Sequence, residues 1–148
     1  MKIIFLDIDG VLNNNKTKII WGIERECVTN LNHILLKTNA NIVLISSWRN
    51  LIIEGHLKLS GFEYLLRSHG VNCMDRLVGL TPPDDVFFER WNQVEFFIKN
   101  TKLEIDSFVI LDDCEDFPNY PDNYIQTDAL TGLTKKDAEQ AIEILGLK

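Results

Sequence analysis

Asp7 and Asp9 flank Ile8, precede Gly10, and close the apolar run Ile3-Ile4-Phe5-Leu6. Carboxylates at this spacing can gather an oxygen-seeking divalent cation, or they can open an ordinary polar turn. Their place at the end of a buried run favours chemistry, because ligands of open α/β sheets bind beyond the carboxyl ends of the strands. Gly10 lets the chain turn there. A calcium loop of the EF-hand type is excluded: counting from Asp7, the sixth place is Leu12 where glycine is needed, and the twelfth is Lys18 where glutamate is needed.

Two further apolar runs end in the same manner. Ile42-Val43-Leu44-Ile45 leads into Ser46-Ser47-Trp48-Arg49, and Phe108-Val109-Ile110-Leu111 leads into Asp112-Asp113-Cys114-Glu115-Asp116. The serines could simply cap a following helix. Arg49 carries a forked donor set that matches phosphate oxygens, although an arginine at a helix start also serves as a surface group. Three polar strand ends in one α/β alternation converge on a single crevice.

The elements that must position these groups follow from periodicity. The runs are apolar without alternation, as strands covered on both faces are. Between the first two, the Asn- and Lys-rich stretch 13–18 with Ile19-Ile20-Trp21-Gly22 reads as a short hairpin flap over 13–22 that overhangs Asp7 and Asp9. Cys27, Val28, Leu31, Ile34 and Leu35 recur at helical spacing within 24–37. Helices are expected over 51–59 and 62–68, separated by Ser60-Gly61, then a short strand over 76–80 and a loop at Thr81-Pro82-Pro83. The stripe Phe87, Trp91, Val94 and Ile98 predicts a helix over 84–100. A further short strand is expected at 124–126, and Thr134 with Asp137 starts a last helix. This pattern predicts an α/β, three-layer Rossmann-like domain with a mainly parallel central sheet and right-handed crossovers.

With 148 residues, 45% hydrophobic and 25% charged, the chain fits one domain, 1–148, with a single core. Its three cysteines form no C-x-x-C pair, and neither a long apolar run nor a leader pattern is present, so a reduced, cytoplasmic setting away from membranes is expected. A net charge of −7 argues against broad attraction to nucleic acid. A cation bound among the clustered acids would offset part of that charge. His33, His56 and His69 fall in helical segments away from every motif and read as surface histidines.

Phe5-Leu6-Asp7-Ile8-Asp9-Gly10-Val11, Leu44-Ile45-Ser46-Ser47 and Ile110-Leu111-Asp112-Asp113 resemble motifs one, two and four of the haloacid dehalogenase superfamily, in its aspartate-phosphatase branch. In detail the chain is similar to a small branch that begins FLDIDGVLN, carries SSWR, and ends near Gly132-Leu133-Thr134, a branch linked with RNA repair assemblies. The resemblance implies that Asp7 is the nucleophile that accepts the phosphoryl group. It implies that Asp9 protonates the leaving oxygen and later activates water. Magnesium would be held by Asp7, Asp112 and the backbone carbonyl of Asp9, with Asp113 or Asp116 in support. Ser46, or else Ser47, would bind the transferring phosphoryl group, with Gly10 and Arg49 also contacting substrate. Arg90 would be the motif-three cation, with Lys99 or Lys102 as substitutes. Gln93 stands where the branch carries an acid, which would leave Arg90 less firmly oriented.

Only 36 residues, 10–45, lie between Asp9 and Ser46, which leaves no room for a cap domain. Capless relatives act on large substrates such as polynucleotide ends, or borrow a lid from a second subunit, so an oligomer stays open. The resemblance thus implies a magnesium-dependent phosphatase of phosphomonoesters, its substrate a small phosphomonoester, a nucleotide or a nucleic-acid end. The alternative is a metal-binding or scaffold module that keeps the fold and little activity.

Overall fold

A computed structural model describes residues 1–114 and 117–148. Five strands form one sheet in the order β3-β2-β1-β4-β5, and every pairing is parallel. They are β1 (Lys2–Leu6), β2 (Asn41–Leu44), β3 (Leu77–Leu80), β4 (Ser107–Asp112) and β5 (Tyr124–Gln126). The helices are α1 (Arg25–Thr38), α2 (Asn50–Ile53), α3 (Leu59–Ser68), α4 (Arg90–Asn100) and α5 (Lys135–Leu145).

The unbroken apolar runs arise because both faces of the sheet are covered. Ile4, Leu6, Ile42, Leu44, Val109 and Leu111 pack with Leu31, Ile34, Phe62, Leu66, Ala138 and Ala141, so α1, α3 and α5 lie on one face. Ile3, Phe5, Val43, Ile45 and Ile110 pack with Val94, Trp91, Phe97 and Ile98 of α4 on the other. This is the three-layer α/β arrangement the periodicity predicts. The last helix opens with the expected capping box, Thr134 and Asp137 each accepting from the other's backbone N–H.

Three local expectations differ. The stretch 13–22 forms turns and no strands, so the flap is a loop and not a hairpin. It has no facing partner run, and its Ile19 and Ile20 end up solvent-exposed. The segment 51–68 breaks earlier than expected: α2 stops at Ile53, and α3 begins at Leu59 with Ser60 and Gly61 inside its first turn. A Cβ on Gly61 would lie 2.8 Å from Leu57 Cδ1, so a larger residue there would have to move that side chain. Finally, 84–89 is non-helical, and the helix expected from Asp84 starts at Arg90.

Beyond β1, β2, β3 and β5 the ladder runs on by one residue, which fixes the site. Asp7 N–H donates to Leu111 O (2.9 Å), Ile45 N–H to Leu6 O (3.0 Å), Thr81 N–H to Leu44 O (3.0 Å) and Thr127 N–H to Asp112 O (3.0 Å).

Candidate functional site

β1 and β4 are neighbours with Leu6 opposite Leu111, so Asp7 and Asp112 leave the sheet side by side. Both are buried. Asp7, Asp112 and Asp113 each offer a carboxylate oxygen within 4.8 Å of the others. Arg90, at the start of α4, reaches in from above: its Nη1 lies 2.9 Å from Asp112 Oδ2 and 3.2 Å from Asp7 Oδ1. Asp112 Oδ1 accepts from the Cys114 N–H at 3.0 Å. Arg90, named above as the motif-three cation, thus bridges the two carboxylates. Lys99 is exposed and pairs with Glu95 along its own helix.

One guanidinium faces three clustered carboxylates. Burial first, and then the charge of Asp112, push Asp7 up to about 7, while Arg90, the Ile8 N–H and the Ser46 hydroxyl pull the other way. Asp113 is raised as well, by burial and by Asp112. Arg90 is held charged: despite burial, its pKa is raised by the two aspartates. Asp7 Oδ1 is buried and accepts no hydrogen bond, the 3.2 Å contact to Arg90 being poorly directed for one. Hard oxygens, excess negative charge and an orphaned acceptor together fit a divalent cation such as magnesium. Asp7, Asp112 and Asp113 are the side chains that would hold it. Asp116 lies outside the described residues.

The Asp9 carboxylate is not among those three. It accepts from Asn13 Nδ2 at 2.8 Å on one oxygen and from Trp48 Nε1 at 2.9 Å on the other. Its exposed carboxyl lines a cleft of about 280 Å³ with Ile20, Trp21, Ser47 and Trp48. A metal contact by Asp9 would therefore fall to its backbone and not its side chain.

Gly10 is placed differently from expectation. Its N–H is taken by Asn13 Oδ1 (2.9 Å) and its carbonyl by Thr127 Oγ1 (2.7 Å), so it presents no free donor to a substrate. Its φ of +78° and the room it leaves are what matter. A Cβ there would lie 2.8 Å from Asp113 Cβ and closer still to its carboxylate, so the glycine is what admits Asp113 to the cluster.

Arg49 is also corrected. It is fully buried, donating to Ile45 O (2.5 Å), Pro82 O (3.1 Å), Asp84 Oδ1 (2.8 Å) and Gln93 Oε1 (2.9 Å). With Nη1 and Nη2 engaged by those acceptors and Nε buried without a hydrogen bond, Arg49 is a strut between the end of β2 and the loop before α4, not the exposed phosphate contact expected. The same network explains Gln93. Its amide donates to Asp84 Oδ1 (2.8 Å) and Phe87 O (2.7 Å), which an acid could not do, and Arg90 is oriented by Asp7 and Asp112 instead.

The two serines divide. Ser46 is buried beside Asp7, its Oγ accepting from the Trp48 N–H (3.3 Å), whereas Ser47 is exposed on the cleft. His33, His56 and His69 lie at the surface, His33 beside Glu139 at 3.2 Å and His56 beside Glu54 at 3.3 Å. Sequence reasoning missed the tethering roles of Asn13, Trp48 and Thr127. An Asn four residues after Asp9 was the one readable signal, since Asn side chains bond nearby groups in turns.

A five-stranded parallel sheet with buried aspartates at the ends of its two central strands, and an arginine bridging them, defines a haloacid dehalogenase-like fold. Residues 3–138 match the family model for the HAD domain in Swiss Army Knife RNA repair proteins, and the chain belongs to that family, one of phosphatase-type hydrolases. Comparison with curated proteins gives no match, and comparison with solved structures gives none.

Proposed function

We propose that this protein is a magnesium-dependent phosphatase that hydrolyses phosphomonoesters through an aspartyl phosphate on Asp7, with phosphorylated nucleic-acid ends as its substrates. The observation that carries the reading is the placement of Arg90 across Asp7 and Asp112, with Asp7 Oδ1 ion-paired to it but accepting no hydrogen bond.

In this reading an Asp7 carboxylate oxygen attacks phosphorus as the ester P–O bond breaks, and Asp9 gives the departing oxygen its proton. Water then attacks the aspartyl phosphate, Asp9 takes the water's proton, and inorganic phosphate leaves with Asp7 restored. Ser46 donates to the phosphoryl oxygens from beside Asp7, and Ser47 is placed to contact the leaving part of the ester. Arg90 offsets charge on the attacking carboxylate and the phosphoryl group. Magnesium bound by Asp7, Asp112 and Asp113 would supply further charge neutralisation and polarise the phosphoryl oxygens.

The nucleic-acid part rests on the family description, the missing cap, and Lys16 and Lys18 exposed on the loop 13–22. The net charge of −7 limits the grip to a few phosphates. For two or three contacts on a single strand, log affinity should fall against log salt with a slope of roughly −1.4 to −2.1.

The test is phosphate release from a phosphate-ended oligonucleotide and from the matching mononucleotide, with magnesium, with chelator, and across a salt series. Activity that survives chelation would remove magnesium from the reading. Equal use of both substrates with one shallow salt dependence would remove the polynucleotide.

A further inference from the structure

Ile19 to Gly22 make a reverse turn, closed by the Gly22 N–H donating to Ile19 O at 2.9 Å. Its third position is Trp21, at φ +63°. Turns with a left-handed residue there normally use Gly or Asn, and a bulky side chain at positive φ is held against strain. The strain is matched by a contact. The Trp21 ring meets the ring of Trp48 edge to face, with centroids 4.7 Å apart and planes at 84°. Trp48 is almost fully buried at 4% exposure and donates its indole N–H to Asp9, while Trp21 remains 46% exposed. A strained residue that keeps nearly half of an indole in water is placed for something other than stability.

The cleft itself says what it takes. Its walls are Asp9, Ile20, Trp21, Ser47 and Trp48, so the group that gives up or receives a proton at the ester oxygen forms one wall and two indoles and an isoleucine form the rest. Because Asp9 lines the cleft, a leaving oxygen that meets Asp9 brings whatever is attached to it within reach of these walls. Asp9 is the only charged lining residue among those described, which suits an uncharged group and disfavours an anionic one. Indole and aliphatic walls suit a flat π-face, and the Ser47 hydroxyl can bond its polar edge. Lys16 and Lys18, exposed on the same loop, suit the next phosphate of a strand beyond the ring.

We infer that the Trp21–Trp48 cleft binds the nucleoside that carries the scissile phosphate, its base stacked against Trp21. The inference rests on the phosphatase reading above and names the leaving group of that same site. Trp21 is then a specificity residue that acts on the leaving group and not on the phosphoryl group.

The test compares hydrolysis of a nucleoside monophosphate, ribose phosphate and a phosphotyrosyl peptide, and separately reads quenching of tryptophan emission by the first two. The wild-type protein should favour the nucleotide over ribose phosphate by roughly five- to a hundredfold in kcat/KM, the range that base–aromatic stacking gives. Trp21→Gly, which suits the left-handed position, should keep or raise the melting temperature while that ratio collapses towards one. Tyr64→Ala, an exposed aromatic in α3 outside the cleft, should leave the ratio unchanged. Quenching by the nucleotide, absent with ribose phosphate and lost in Trp21→Gly, would support the inference even if no ester were hydrolysed, in which case the phosphatase reading alone would fail. Equal use of nucleotide and ribose phosphate without nucleotide quenching overturns it, as does preference for the phosphotyrosyl peptide.

Discussion

The Trp48 indole N–H donates to Asp9 Oδ2 at 2.9 Å, and Asn13 holds the other oxygen, so Asp9 is fixed by two donors that come from different parts of the chain. One is four residues away and the other 39. An acid that must meet a leaving oxygen in one place profits from a fixed rotamer.

Trp48→Phe keeps a ring in the core and deletes the donor. Activity on esters with poor leaving groups should fall roughly tenfold, on the scale of one hydrogen bond to a charged group, and much less on an activated aryl phosphate. The slope of log rate against leaving-group pKa reads this directly. A uniform loss across the series would mean that Trp48 acts only through packing.

Asp7 gives a pH prediction for the protein held in chelator. Its pKa of about 7 lies above its ordinary 3.8, so the folded state binds this proton more tightly than the unfolded state does. Its contribution to stability is therefore full below about pH 4 and is lost as pH rises through 7. The difference is a few kcal/mol at most, on the order of 2–4. Asp7→Asn should raise the melting temperature of the metal-free protein at pH 8, raise it less at pH 5, change it little at pH 4, and abolish turnover. Saturating magnesium should narrow the gap at pH 8. If the two proteins melt in parallel from pH 5 to 8, Asp7 is not the strained carboxylate described.

Gly10→Ala tests whether Asp113 belongs to the metal set. The left-handed backbone costs about 1 kcal/mol with a Cβ, and the methyl group must displace the Asp113 carboxylate. Magnesium affinity, read by calorimetry, should weaken roughly tenfold or more. Unchanged affinity would take Asp113 out of the set.

Gln93→Glu places an acid where the branch that the chain resembles carries one. It removes two donated hydrogen bonds and sets a second carboxylate against Asp84, itself held below the usual range, against its own burial, by Gln93 and Arg49. We expect a loss of about 1–3 kcal/mol in a urea titration. A variant as stable as the wild type would show that the amide's donors contribute nothing.

The central strands were legible because burial on both faces leaves a continuous apolar run, and Ile3–Leu6, Ile42–Ile45 and Phe108–Leu111 carry no polar interruption. Asp7 and Asp112 were legible because motif and strand end coincide, whereas Arg90, at the start of α4, was suggested by the family resemblance alone. The role of Arg49 was not legible, since a fork that could grip phosphate is the same fork that grips Pro82 O and Gln93 Oε1, 33 and 44 residues away. The loop 13–22 was misread as a hairpin because its turn residues are local signals, whereas a strand needs a partner that no local signal supplies. The setting of the Asp9 carboxylate was not legible either, because one of its two donors, Trp48, lies 39 residues away.

The pairing of β1 with β4 has a consequence for how the protein is made. The partners, Lys2 with Ser107 through Leu6 with Leu111, are more than a hundred residues apart in sequence. At the pace of a ribosome, Ile3–Leu6 wait on the order of 5–20 seconds before β4 has been synthesised. During that time one side of the most apolar strand has no neighbour, and long-range parallel pairing is slow to form once it can. Asp7 and Asp112 are brought together by that pairing, so the buried carboxylate pair is completed late, and the growing chain depends on whatever shields β1 until then.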